Sequence, residues 1–250
     1  MGNIIEISGI RKVYRLGNEK VVALDNINLN IEEGEICCFL GTSGSGKSTL
    51  LNLMAGLEKP TKGHIKIKNI YVDKLSEKAL AKFRQKYIGF VFQSYNLLPT
   101  LTALENVSLP LAFKGVPKRI RDKRAMEMLK AVGLGTHIKH RPNQMSGGQQ
   151  QRVGIARAFV TRPSIVFADE PTGNLDSKTT KEVMDLITSM AREHNQTLVI
   201  VTHDMDIASY ADRIIHILDG NISKIIDNRE VKGDIPNEKN QVYSGNSNII

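Results

Sequence analysis

Apolar residues along the chain fall into three kinds of run. Ile27, Leu29 and Ile31 alternate with polar neighbours, as do Ile65 and Ile67, which is the period-2 pattern of a half-buried strand. Residues 36–40, 165–168 and 198–201 are short unbroken apolar runs, suited to central strands covered on both faces. Between the last two, Val183, Leu186, Ile187 and Met190 fall at i, i+3, i+4 and i+7, the helical period. Strand, helix and strand at that spacing predict a right-handed crossover and a parallel sheet. Asp219-Gly220 separates the apolar runs 214–218 and 222–226 and predicts a hairpin with a type I′ turn. From about residue 95 to 160 helical signals dominate, with Ala125, Met126, Met128, Leu129 and Val132 on one face. The pattern predicts one α/β domain over residues 1–227, with a helical subdomain inserted at about 95–160. Residues 228–250 are polar and rich in Asn, Gly and Ser, and read as a flexible C-terminal tail.

Candidate chemistry begins right after the first unbroken run. Gly41-Thr-Ser43-Gly44-Ser45-Gly46-Lys47-Ser48-Thr49 fits G-x-x-x-x-G-K-[ST]. The glycines let backbone N–H groups curve around an anion, and the helix that follows aims its positive end at it. Lys47 has the reach for the β- and γ-phosphates of ATP, and the Ser48 hydroxyl can ligate Mg²⁺. The helix carries Leu50, Leu51, Leu53 and Met54, and Gly56 is its expected stop. By itself the loop identifies a P-loop NTPase.

Two further motifs narrow the class. The run at 165–168 ends in Asp169-Glu170, on a strand expected to lie beside the P-loop strand. A strand-end Asp169 suits a Mg²⁺ site, and Glu170, pointing elsewhere, is the candidate base or polarising group for an attacking water. Met145-Ser146-Gly147-Gly148-Gln149 opens a helical pattern that continues through Val153, Ala156 and Val160. A serine hydroxyl and free N–H groups at a helix start form a second anion site. One ATP does not need two such sites on one chain. The economical explanation is that this site faces the γ-phosphate held by another copy.

With these motifs the sequence resembles the nucleotide-binding domains of the ABC superfamily over residues 4 to 226. The resemblance implies a P-loop NTPase fold with a mostly parallel core sheet, an N-terminal antiparallel β subdomain and the helical insert. Met145 departs from the leucine usual at that place, a change that conserves volume. The resemblance also implies roles at matching positions. Gln93 would contact Mg²⁺ and link to a membrane partner. Asn174-Leu175-Asp176 would cross a dimer interface, His203 would contact the γ-phosphate, and Tyr14 would stack on adenine. His203 follows the run at 198–201, where open α/β sheets bind their ligands; the other five histidines read as surface or structural. Residues 90–107 and 169–176 resemble the MacB, LolD and FtsE branch, whose ATPases serve macrolide or peptide exporters, lipoprotein-release machines and FtsX-like permeases. That branch implies a head-to-tail homodimer beneath a permease. Residues 96–113 are the candidate lining of the groove that receives it.

Composition adds limits. The 250 residues are 41% hydrophobic and 24% charged, ordinary for a large globular core. No apolar run approaches the roughly 18–20 residues of a membrane span. The N-terminus has neither a signal-peptide layout nor, with Glu6, a myristoylation motif. A cytoplasmic protein is expected, peripheral on the inner face of the membrane through its partner. Adjacent Cys37 and Cys38 read as small buried hydrophobes. The net charge is +8, yet no RNA-binding or zinc-finger signature accompanies it, so no nucleic-acid partner is expected. Residues 114–124 carry six basic groups and one acidic, which suit a solvated helix face or attraction to anionic lipid. Other readings stay open at this level: an FtsE-like regulatory ATPase, a soluble ABC ATPase of translation or repair, and a P-loop kinase.

Overall fold

The computed structural model describes residues 2–17 and 19–229. Asn3–Leu16 (β1) and Glu19–Glu32 (β2) form a long antiparallel pair. Lys62–Ile67 (β4) and the short Ile70–Tyr71 (β5) extend it into a sheet of order β2-β1-β4-β5. A second sheet is built from Ile36–Leu40 (β3), Ile88–Phe92 (β6), Ile165–Asp169 (β7), Thr197–Thr202 (β8), Arg213–Leu218 (β9) and Asn221–Asp227 (β10). Its order is β10-β9-β3-β8-β7-β6, and all neighbours pair in parallel except β10 with β9. This is the expected α/β arrangement, with the antiparallel sheet at the N-terminal side of the chain.

Side-chain alternation on the central strands divides the interior. Cys37 and Phe39 face a core shared with β1, β2 and the helix Lys47–Met54 (α1). Ile36, Cys38 and Leu40 face a second core with the helices of the insert and with Ser177–Glu193 (α6). The two cysteines are therefore free, buried and on opposite faces, and burial pushes the Cys38 thiol up to about 12. On α6, Val183, Ile187 and Met190 are buried, as their spacing predicts. The turn at Asp219-Gly220 has positive φ at both residues (46° and 75°), the backbone of a type I′ hairpin.

Glu77–Tyr87 (α2) leads into β6, and between β6 and β7 stand Ala103–Phe113 (α3), Lys118–Ala131 (α4) and Gly147–Phe159 (α5). The buried Asn106 amide holds the approach to α3: its Oδ1 accepts from Leu98 N–H, and its Nδ2 donates to the carbonyls of Leu98, Leu101 and Thr102. Thr102 and Glu105 close a capping box on α3. On α4, Ala125 and Leu129 are buried but Met126 is exposed, so the apolar face is narrower than its sequence suggests. Methionine spacing alone does not reveal which neighbour covers it.

Two other expectations are corrected. β7 does not lie beside β3, because β8 stands between them and pairs with both. The expected tail starting at residue 228 lies mostly outside the described residues, but Asn228 and Arg229 belong to the body. Asn228 N–H donates to the Asp212 carbonyl at 2.7 Å, and Arg229 pairs with Glu32 and Asp227.

At the N-terminal end of β3, Arg213 clamps Glu35 through Nε and a second guanidinium N–H, at 2.8 and 3.1 Å. The Glu35 side chain is only 1% exposed, and Arg213 is its counter-charge, beside a Glu32 N–H that donates to Oε2 at 2.8 Å. Arg213→Met strands a buried carboxylate and is expected to cost about 3–5 kcal/mol in urea unfolding. A loss below about 1 kcal/mol, the range of an exposed pair, would show that solvent already compensates Glu35.

Candidate active site

Parallel strands that end on one edge leave their following loops together. β3 ends at Leu40 and runs into the glycine-rich loop. Gly46 has φ 104°, a conformation that residues with a β-carbon rarely adopt. A β-carbon on Gly41 would stand 2.2 Å from the Ile217 carbonyl oxygen, so only hydrogen fits where the loop passes β9. The loop delivers Lys47 to the first position of α1. Its ammonium donates to the loop's own Gly41 and Thr42 carbonyls at 2.8 and 2.7 Å, and burial lowers its pKa.

The loop lines a cleft of about 830 Å³, large enough for a nucleotide. Gly41, Ser43, Gly44, Gly46, Lys47, Ser48 and Thr49 form one wall, and Gln93, Glu170 and His203 face them. Ala23, Leu40, Thr42, Met205 and His216 complete the lining. His216 enters the lining because β9 lies directly beside β3, a neighbour that no local pattern specifies. Ser45 is buried under the loop, outside the lining. Tyr14, on β1, also stands outside the lining. Its hydroxyl donates to Glu58 Oε2 at 2.7 Å, and the Lys12 ammonium lies 4.9 Å from its ring centroid.

The two strand-end carboxylates diverge. Asp169 Oδ1 accepts from Ser48 Oγ at 3.3 Å, and burial raises its pKa. Glu170 Oε1 meets His203 Nδ1 at 2.8 Å, and Oε2 accepts from Thr202 Oγ1 at 3.1 Å. A carboxylate only accepts, so His203 Nδ1 carries hydrogen there and Nε2 points away from Glu170. The imidazole is 67% exposed, open to a phosphate arriving in the cleft. The link between His203 and Glu170, and the part of Thr202, are products of β8 lying next to β7. Neither had a sequence signal beyond the strand-end position of His203.

Gln93 is bound to the segment after Glu170. Its carbonyl accepts from Asn174 Nδ2 at 3.0 Å, and a β-carbon on Gly173 would stand 2.6 Å from its amide nitrogen. A metal fits here only with help from a ligand, since no cluster of three or more His, Cys, Asp or Glu occurs among the described residues. One hydroxyl, one carboxylate and one amide suit Mg²⁺, which takes its remaining oxygens from phosphates and water.

The Ser-Gly-Gly-Gln segment lies elsewhere. Ser146 caps α5 by accepting from Gln149 N–H, while Gln149 Oε1 accepts from Ser146 N–H at 3.0 Å. Ser146, Gly147, Gly148 and Gln149 share a separate concavity of about 470 Å³ with Asn174, Leu175 and Asp176. Asp176 caps α6 through Thr179, at 3.0 Å to its N–H and 2.7 Å to its hydroxyl. None of these residues lines the nucleotide cleft.

A family model described as ABC transporter matches residues 24–173. An uncharacterized ABC transporter ATP-binding protein of Thermotoga maritima is 48% identical over 234 residues, covering 94% of this chain and 100% of that one. A macrolide export ATP-binding/permease protein MacB of Rhodopirellula baltica is 45% identical over 228 residues, which are 90% of this chain but 33% of the relative. The ATP-binding cassette MJ0796 of Methanocaldococcus jannaschii, solved as a dimer in a post-hydrolysis state bound to ADP and Pi, superposes with a TM-score of 0.83. It is 47% identical and covers 89% of this chain and 98% of its own. With a phosphate loop lining one cleft and the Ser146-capped start of α5 lining a separate concavity, the chain belongs to the ABC transporter family as its ATP-binding, ATP-hydrolysing component.

Proposed function

We propose that the chain works as a head-to-tail homodimer that closes on two ATP molecules and drives an FtsX/MacB-like permease. One observation carries this reading: the Ser146 anion site opens into its own concavity with Asp176, apart from the cleft that holds Lys47. A second copy facing the first would bring Ser146 and Gly148 to the γ-phosphate that Lys47 holds. That the cassette MJ0796 is solved as a dimer supports an assembly of two copies.

Within that closed site each residue has a distinct task. Lys47 exchanges its two loop carbonyls for phosphate oxygens. Ser48, Asp169 and Gln93 would hold Mg²⁺, which when bound neutralises phosphate charge. Glu170, oriented by Thr202 and His203, polarises the attacking water. His203, with Nδ1 held by Glu170, would turn Nε2 to a γ-phosphate oxygen. Tyr14 would stack on adenine at the outer end of the nucleotide.

The permease reading rests on a groove of about 280 Å³ lined by Phe90, Phe92, Leu109, Pro110 and Phe113. Phe113 is 66% exposed at its rim. Its occupant would be a short helix from a permease's cytoplasmic loop, since the MacB relative is an ATP-binding/permease protein in one chain. Residues 96–113 contribute Leu109, Pro110 and Phe113 to the groove, while Val107 and Leu111 belong to the core.

Three outcomes test these assignments. Glu170→Gln should retain ATP binding, lose about a hundredfold or more in kcat, and run as an ATP-bound dimer in size exclusion. Turnover near the unmodified rate would remove Glu170 from the water-polarising role. Asp169→Asn tests the metal site through stability. A carboxyl whose pKa rises on folding contributes stability while protonated and loses it as pH rises through the folded value. The nucleotide-free variant should therefore melt higher than the parent at pH 7, with the gain shrinking toward the ordinary aspartate pKa of about 3.9. It should also lose the Mg²⁺-dependent part of ATP stabilisation, and an unchanged Mg²⁺ response in thermal melts counts against the site. Phe113→Glu should leave ATPase activity intact and weaken co-purification with the membrane partner about tenfold or more, the scale of one buried aromatic contact. Undiminished co-purification would send the docking surface elsewhere.

A further inference from the structure

Gln151, on α5, is wholly buried at 0% exposure. Only half of its amide is satisfied. Nε2 donates to the Pro171 carbonyl, while Oε1 has no hydrogen-bond partner among the described residues. An unsatisfied buried acceptor weakens the folded state, and an apolar side chain of similar volume would fill the space without that cost. A polar group held on such terms calls for a role other than packing.

Its bond lands on the residue after Glu170. Glu170 has φ 44°, in the left-handed region that residues with a β-carbon avoid. The proline that follows adds to the strain, because it pushes the preceding residue toward extended backbone. Such a conformation persists only when neighbours hold it. Glu170 N–H donates to the Val201 carbonyl at 2.9 Å, and the Glu170 carbonyl accepts from Gly173 N–H at 3.2 Å. Gln151 is the one donor to the next carbonyl, that of Pro171, among the described residues. The same helix holds the other side of the cleft as well: Arg157 donates to the carbonyls of Tyr95 and Asn96, just past Gln93.

We propose that Gln151 is a positioning residue for hydrolysis. It pins the strained turn after Glu170, so that the carboxylate stays where Thr202 and His203 meet it. It also ties that turn to the helix whose first residues carry the Ser146 site presented to the partner copy. The proposal rests on Glu170 being the group that polarises water.

Gln151→Met in the full chain tests it by steady-state ATPase kinetics and thermal melting. The expected result is a melting temperature equal to or above the parent's, a KM for ATP within about twofold, and kcat lower by about tenfold or more. The double variant with Glu170→Gln should be no slower than Glu170→Gln alone, because both changes disable one group. Unchanged kcat overturns the proposal. So does a kcat that falls only together with the melting temperature, which marks packing, or a loss that multiplies with that of Glu170→Gln, which marks an independent action. Gln151→Leu, a second apolar replacement, carries the same expectations if the methionine variant misfolds. Near-parental turnover in Glu170→Gln by itself strikes the reading of Glu170 and is separable from a failure of Gln151→Met.

Discussion

Everything at the nucleotide cleft depends on one constraint, that parallel strands must end on the same edge of the sheet. β3 delivers the phosphate loop there, β7 delivers Asp169 and Glu170, and β8 delivers Thr202 and His203. Because β8 separates β3 from β7, the Glu170 carboxylate finds hydroxyl and imidazole partners on its neighbouring strand. Asp169, on the same strand end, instead reaches Ser48 at the start of α1. Neighbouring carboxylates acquire different surroundings because successive side chains on extended backbone diverge.

Groups at that edge are held at a cost to the resting fold. Lys47 and Asp169 both shift toward their neutral forms through burial, and Glu170 keeps a left-handed backbone ahead of a proline. In the proposed function an arriving polyphosphate would offer each a partner: anionic oxygens for Lys47 and, with a divalent cation, a counter-charge for Asp169. On that proposal the site would be more complementary to its ligand than to itself, as expected where binding free energy is converted into closure.

The proposed division of the site between copies has a similar physical basis. The first turn of α5 leaves backbone N–H groups free for an anion, but it faces its own concavity beside the Asp176 cap. Within the chain, α5 instead reaches the cleft from behind, through Arg157 on the carbonyls after Gln93 and Gln151 on the carbonyl after Glu170. One helix therefore touches both loops that flank the nucleotide and offers its free end outward.

Sequence by itself determined the strands at 27–31, 36–40, 65–67, 165–168 and 198–201, the phosphate loop, the α5 cap and the hairpin at Asp219-Gly220, but not β1, β5 or β6. Each rests on interactions among residues near in the chain: side-chain periodicity, a capping hydroxyl, or a turn that needs positive φ. It also marked Asp169, Glu170 and His203 by their places at strand ends. Only the tertiary structure decided that β8 intervenes between β3 and β7, that His203 and Thr202 share Glu170, and that His216 borders the cleft. The same holds for Met126, exposed despite its apolar spacing, and for Asn228 and Arg229, which pair with residues far earlier in the chain. Strand order and long-range contacts depend on the packing free energy of the whole sheet. No local window of sequence contains that quantity.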